Sequence, residues 1–148
     1  MKIGFIGTGV IAEAISLGML RGEFDVDEVL VSARSREVSA RLAQQFDRVR
    51  IYEDNQDIVD SAEIVFLCVL PQQAEEVVSQ LRFQQGQEVA SVIATVTAEN
   101  LAAWIGVPVQ ITRAIPLPSV ADHRGVTAVY PANTLLEELF YGMGTVIA

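Results

Sequence analysis

At 148 residues, 51% of them apolar and 20% charged, the chain has room for one globular core and too little polar bias for disorder or a low-complexity array. A formal charge of -9 makes nucleic acid and anionic membrane poor partners, and no uncharged apolar run of about 18 residues exists to span a bilayer. Cys68 is the single cysteine, which excludes an internal disulfide and a cysteine cluster for zinc; the apolar start is broken by Gly4, Gly7 and Gly9, unlike a cleavable leader, so a cytoplasmic protein is the expectation.

In chain order, short β-branched runs alternate with amphipathic stretches, the pattern of βαβ units. The predicted strands are Lys2 to Ile6, Glu28 to Ser32, Val49 to Tyr52, Ile64 to Val69, Glu88 to Ala94, Val109 to Ala114, Val126 to Tyr130 and Thr145 to Ile147. Several are apolar on both faces, as strands covered by helices on each side must be. Between the second and third strands, Val38, Leu42 and Phe46 recur every four residues as a buried stripe, leaving Arg36, Glu37, Gln44 and Gln45 to water. Thr97 is placed to cap a helix carrying Leu101, Trp104 and Ile105, which Gly106 and Pro108 stop. Thr134 and Glu137 have capping-box spacing, and Gly142 closes that last helix. The expected architecture is an α/β Rossmann fold, doubly wound, with a mostly parallel sheet, helices on both faces and a short mixed C-terminal extension. The chain stops at Ala148, inside or just after an apolar strand, so the expectation is that residues 1–148 are the N-terminal part of a longer polypeptide.

Chemistry concentrates first at Gly7, Thr8, Gly9, Val10, Ile11 and Ala12, a G-x-G-x-x-A sequence between a strand and a helix. Gly7 permits a tight turn, Gly9 lets the backbone approach a pyrophosphate, and Ala12 lets the helix pack against the strand. The N–H groups at the helix start then face the phosphates. After the second strand, where an Asp or Glu would accept from the ribose 2′-hydroxyl of NAD, the chain reads Ala33, Arg34, Ser35, Arg36. Guanidinium and hydroxyl donors there favour the 2′-phosphate of NADP (NADPH). Arg34, Arg36, Arg41, Arg48 and Arg50 form a basic cluster in an acidic chain, and a solvated helix face is the plainer reading of such a cluster.

The whole chain resembles the N-terminal domain of the pyrroline-5-carboxylate reductases. The likeness is carried by MKIGFIGTG with AEAI at Met1 to Ile15, VSARS at Val31 to Ser35, VFLCVLPQ at Val65 to Gln72, and RAIP with GVTAVY within Arg113 to Tyr130. The resemblance implies that Val69, Leu70 and Pro71 line the cofactor and that Asn55 lies near the adenosine ribose. It further implies reduction of a cyclic imine, most simply 1-pyrroline-5-carboxylate to proline, with the pocket completed by a C-terminal helical domain in a homo-oligomeric full-length protein. Departures fall on the substrate side: Ile115, Pro116, Leu117, Pro118 and Ser119 stand where the family reads MPNTP, Asp122, His123 and Arg124 replace small residues, and Thr95 occupies a family glycine position.

These departures keep two alternatives in view, a non-catalytic NADP-binding or sensing module and another NADP oxidoreductase of the β-hydroxyacid dehydrogenase type. The catalytic group is not identifiable. His123, the sole histidine, has the intrinsic pKa for proton transfer but reads more simply as an incidental surface residue. No second histidine or cysteine pair supports a metal site. Cys68 in an apolar run reads as a small buried side chain rather than a nucleophile.

Overall fold

The computed structural model describes residues 1–7, 10–22, 26–33, 36–116, 125–130, 134–141 and 144–147. Among the described residues eight strands form one sheet: β1 (Lys2–Ile6), β2 (Glu28–Ser32), β3 (Val49–Tyr52), β4 (Ile64–Leu67), β5 (Glu88–Ser91), β6 (Gln110–Pro116), β7 (Gly125–Tyr130) and β8 (Gly144–Ile147). Six helices connect them: α1 (Val10–Arg21), α2 (Arg36–Gln45), α3 (Asn55–Ser61), α4 (Pro71–Ser79), α5 (Ala98–Ile105) and α6 (Thr134–Tyr141). The spatial order is β3-β2-β1-β4-β5-β6-β7-β8. The first six strands are parallel; β7 runs antiparallel to β6, and β8 parallel to β7, which is the expected mixed extension. The order reverses between β1 and β4, and ligands of open α/β sheets bind outside the carboxyl ends of the strands at such a switch point.

Strand alternation builds two cores. Ile3 and Phe5 of β1, Val29 and Val31 of β2, and Ile64 and Phe66 of β4 face one side, with Ile15 and Met19 of α1, Leu42 of α2 and Leu136 and Leu139 of α6. Phe5 stacks on Phe66 with ring centroids 5.0 Å apart. Ile6, Leu30, Val65 and Leu67 face the other side, against Ile58, Val59, Ala74, Val78, Leu101 and Ile105 of α3, α4 and α5. A Cβ on Gly4 would lie 2.5 Å from Ile58 Cγ2 and 3.0 Å from Ala62 Cβ, so the missing side chain sets how closely α3 approaches β1.

The caps follow the local chemistry. Thr97 accepts from the Asn100 N–H at 3.1 Å, and Gly106 closes α5 at φ +77° with its N–H on Ala102 O. Asp54 caps α3 by accepting from the Gln56 N–H at 3.0 Å. Val38, Leu42 and Phe46 do turn inward while Arg36, Glu37, Gln44 and Gln45 stay exposed. Helix α6 begins on Thr134 itself, so Thr134 is a helical residue and not the residue before the helix; Gly142 lies outside the described residues.

Strand ends differ from the sequence reading for a shared reason: a strand lasts as long as its neighbour does. β4 ends at Leu67 instead of Val69 because β1, its partner, ends at Ile6, whose carbonyl takes the Cys68 N–H at 2.8 Å. β5 then ends at Ser91 instead of Ala94, with the Val92 N–H on Leu67 O. β6 starts at Gln110 and runs on to Pro116 because β7 pairs with it from Arg113 to Pro116.

Candidate functional site

The carboxyl edge of the sheet carries three stations in spatial order. Neighbouring strands lie about 4.8 Å apart, so the ends of β2 and β5 are separated by roughly 14 Å across β1 and β4.

At the first station, Arg36 opens α2 and lines a cavity of about 310 Å³ with Ala33, Ser39, Ala40, Ile51 and Glu53. Ser39 is committed inward, donating to Ser32 O at 2.6 Å. Arg36 is exposed, and no side-chain hydrogen bond or ion pair joins it to another described residue. Arg34 and Ser35 lie outside the described residues. The rest of the basic cluster is structural: Arg41 makes two contacts of 3.1 Å with the Glu13 carboxylate, tying α2 to α1. Arg48 donates to Leu20 O and Val26 O at 2.9 and 3.0 Å, satisfying a carbonyl at the end of α1. Arg50 pairs with Glu28 at 3.0 Å. The solvated-face reading fails for half-buried Arg48, whereas Arg41 and Arg50 stay exposed and pair with Glu13 and Glu28 at the surface. Sequence reasoning missed Ile51 and Glu53; Ile51 is 43% exposed, an apolar surface on the edge strand beside the guanidinium. Their place directly after and within the strand neighbouring β2 was the available signal.

At the second station Gly7 turns the chain at φ +85°. A Cβ there would meet Val69 Cγ1 at 2.9 Å and the backbone of Cys68 and Val69 at 3.0 Å, so the turn over β1 and the segment after β4 pack too tightly for any side chain. Thr8 and Gly9 lie outside the described residues. Val10 begins α1, whose amino end therefore points at the carboxyl edge of the sheet; Ile11 is half-buried and Ala12 is buried in the core between α1 and the sheet, in the packing role expected of it. Val69 is half-buried and Leu70 is 56% exposed, an apolar side chain presented at this edge, while Pro71 starts α4. Cys68 keeps partial exposure, yet burial pushes its thiol pKa up, away from the thiolate, which makes it a poor nucleophile.

At the third station Ser91, Val92, Ile93, Ala94, Thr95, Arg113 and Ala114 enclose a cavity of about 180 Å³ at the ends of β5 and β6. Thr95 is left-handed at φ +66°, a conformation rare for a β-branched residue, and its hydroxyl donates to Ala94 O at 2.6 Å. Residues 117–124, including His123 and Leu117, lie outside the described residues.

Asn55 is not part of this row of cavities. It begins α3 and lines a cavity of about 380 Å³ with Asp54, Asp57, Asp60, Gln80 and Arg82, sharing no lining residue with the other two. Its Oδ1 is buried without a hydrogen-bond partner. Three carboxylates there repel a phosphate, but a neutral hydroxyl can donate to an orphaned amide oxygen. Among the described residues no group of His, Cys, Asp or Glu can hold a metal ion, and no helix is long and apolar enough to cross a membrane.

Residues 2–97 match the family described as NADP oxidoreductase, coenzyme F420-dependent. The chain belongs to this family. Among its relatives, the pyrroline-5-carboxylate reductase of Escherichia coli strain K12 is 32% identical over 133 residues, which cover 88% of this chain and 49% of that protein. The chain thus spans about half the length of the curated relatives it matches. Among solved structures, a pyrroline-5-carboxylate reductase from Coxiella burnetii superposes with a TM-score of 0.85 at 26% identity, over 98% of this chain and 57% of that one. The pyrroline carboxylate reductase of Plasmodium falciparum, solved with NADP bound, has a TM-score of 0.80 at 14% identity, over 99% and 56% of the two chains, and speaks for the shared Rossmann fold. NADP is the cofactor of the family, and the residues described above fit it: a guanidinium without a partner among the described residues, a side-chain-free turn at a helix start and, in its own separate cavity, a buried amide oxygen that can accept from a hydroxyl.

Proposed function

We propose that this chain is the cofactor-binding part of an NADPH-dependent reductase of a cyclic imine, with 1-pyrroline-5-carboxylate, reduced to proline, as its substrate. The observation that carries the reading is the order of the three stations along one sheet edge: a cation beside β2 with no partner among the described residues, a glycine turn and helix start over β1, and a cavity at β5 and β6. In this reading Arg36, with Arg34 and Ser35, holds the 2′-phosphate; Gly7 through Ala12 receive the pyrophosphate; Val69, Leu70 and Pro71 form the apolar floor under the nicotinamide. Asn55 accepts from a ribose hydroxyl. When bound, NADPH supplies the hydride. The chain's residues orient it and keep water from one face, because transfer needs the reacting atoms about 3 to 3.5 Å apart.

The reading includes a second, C-terminal helical part that closes the pocket in a homo-oligomer, and a cytoplasmic location; what supports it is only that the chain covers 49% of a relative's length. Calorimetric titration with NADPH and NADH tests the cofactor half, and tighter binding of NADPH is expected. NADPH oxidation with 1-pyrroline-5-carboxylate, measured side by side for residues 1–148 and for the longer protein, tests the rest. The longer protein should turn over and the 148-residue chain should not; inactivity of both would point to another imine or to a binding module.

A further inference from the structure

We propose that Arg41 is a positioning residue for the cofactor's phosphates: it neutralises two carboxylates, Glu13 and Glu37, that the sequence places beside the helix starts assigned to those phosphates. The proposal rests on the cofactor half of the reading above and adds residues that act without being ligands themselves.

Helices α1 and α2 each carry an acid in the first turn, Glu13 in α1 and Glu37 in α2. Such an acid stabilises the free helix, because the amino end carries a partial positive charge. It works against a phosphate drawn to the same end by the same charge. Glu13 lies three residues after Val10, about 4.5 Å along the axis, and helical side chains lean toward the amino end. Glu37 directly follows Arg36, the cation assigned to the 2′-phosphate. Both carboxylates therefore lie within about one screening length, roughly 8 Å at physiological ionic strength, of a helix start that meets a phosphate.

Arg41 answers both acids. Its Nε and Nη2 donate to the two Glu13 carboxylate oxygens at 3.1 Å each, a fork-to-fork pair that joins α2 to α1. Glu37 precedes it by four residues, on the same face of α2. The Arg41 pKa is raised, first by its hydrogen bonds to Glu13, then by the charge of Glu13 and by that of Glu37, so the guanidinium feels both acids. Arg41 is exposed, and an ion pair at such a place adds little to stability. Its larger consequence is for the local field. In a chain with 19 acidic residues against 10 basic ones, an unbalanced carboxylate at a helix start weakens the attraction for an anionic dinucleotide. A mechanical brace between α1 and α2 would use the same contacts, and the signs of two substitutions separate the readings.

The test titrates the full-length protein with NADPH and NADH by calorimetry, at low salt and at about 1 M KCl. Arg41→Gln should weaken NADPH binding about 3- to 10-fold at low salt, and should weaken NADH, which lacks the 2′-phosphate charge, less. Glu13→Gln breaks the same ion pair, yet should leave NADPH affinity unchanged or raise it. Combining Glu13→Gln with Arg41→Gln should recover most of the loss, and Arg41→Lys, which keeps the charge, should bind like wild type. At high salt, where the screening length is about 3 Å, the Arg41→Gln deficit should shrink to within about twofold. Thermal unfolding verifies folding, with midpoints within about 4 °C of wild type. A loss of affinity in Glu13→Gln equal to that in Arg41→Gln makes the pair a brace and overturns the proposal. So does a deficit that survives high salt, or an Arg41→Gln protein that binds NADPH like wild type. A wild-type protein that binds no NADPH overturns the cofactor reading, and this proposal with it.

Discussion

Gly7 and Thr95 do the same backbone job at two ends of the site. Each sits in the loop following a parallel strand, β1 and β5, and each is left-handed, at φ +85° and +66°. At Gly7 a Cβ would strike Val69 and the backbone of Cys68, so packing admits glycine alone. At Thr95 the side chain is exposed and a threonine is accommodated at the expense of local strain. The difference teaches where this domain is constrained: the turn beside β1 and β4 is locked by its own packing, while the turn beside β5 faces a cavity whose lining can change without disturbing the core.

Gly7→Val attacks the locked side and carries the largest expected effect. The left-handed strain of a β-branched residue and the overpacking against Val69 should together cost about 2–4 kcal/mol of stability. NADPH affinity should fall at least about 100-fold, because the turn and the start of α1 are displaced together. Urea unfolding and calorimetric titration read the two effects. A Gly7→Val protein that binds NADPH like wild type would break the comparison, since the turn would then be no tighter than that at Thr95.

Arg36→Glu tests the same side without touching packing. It removes one charge-assisted contact to a 2′-phosphate and adds repulsion, so NADPH affinity should fall about 10- to 100-fold, with NADH affected far less. Titration with both cofactors decides, and equal losses would remove Arg36 from the phosphate site.

Gln87→Ala separates stability from function. Its buried side chain donates to Val59 O and Ala62 O at 2.8 and 3.0 Å and accepts from the Gln84 N–H at 3.1 Å, on the amino side of β5, at the opposite edge of the sheet from the three stations. Orphaning those groups should cost about 1–3 kcal/mol in unfolding, with NADPH affinity retained in the folded protein. A matching loss of affinity would mean that cofactor binding tracks global stability and not the local lock at Gly7.

What was legible in the sequence divides along the same line. Strands were readable because β-branched runs with apolar residues on both faces have few other uses, and Gly7, Ala12 and Arg36 could be nominated as site candidates because a dinucleotide loop and its second-strand cation have fixed offsets. The ends of β4, β5 and β6 were not, since each depends on where a neighbour stops. Nor did local density reveal that Arg41, Arg48 and Arg50 are structural: their acceptors, Glu13, Leu20 O, Val26 O and Glu28, are distant in the chain. Ile51, Glu53 and Arg113 joined the site only through strand neighbours, information that exists in the sheet and not in any short motif.

Thr95→Gly is the gentlest of these changes and sharpens the comparison most. Relief of the left-handed penalty is worth about 1–2 kcal/mol, and glycine's extra freedom in the unfolded chain takes back about 0.5–1 kcal/mol. The hydrogen bond from Oγ1 to Ala94 O, between adjacent residues at an exposed site, returns to water at little cost. The variant should therefore be as stable as wild type or more stable by up to about 1.5 kcal/mol, an effect that moves the thermal midpoint by a few degrees. NADPH affinity should hold, because the turn lies beyond the apolar floor of Val69 and Leu70. Any functional change should fall on substrate discrimination and stay near fivefold, the factor that about 1 kcal/mol supports. Differential scanning calorimetry and paired imine kinetics would measure both. A destabilised Thr95→Gly would mean that the side chain braces the turn, and the two left-handed residues would then differ in chemistry but not in constraint.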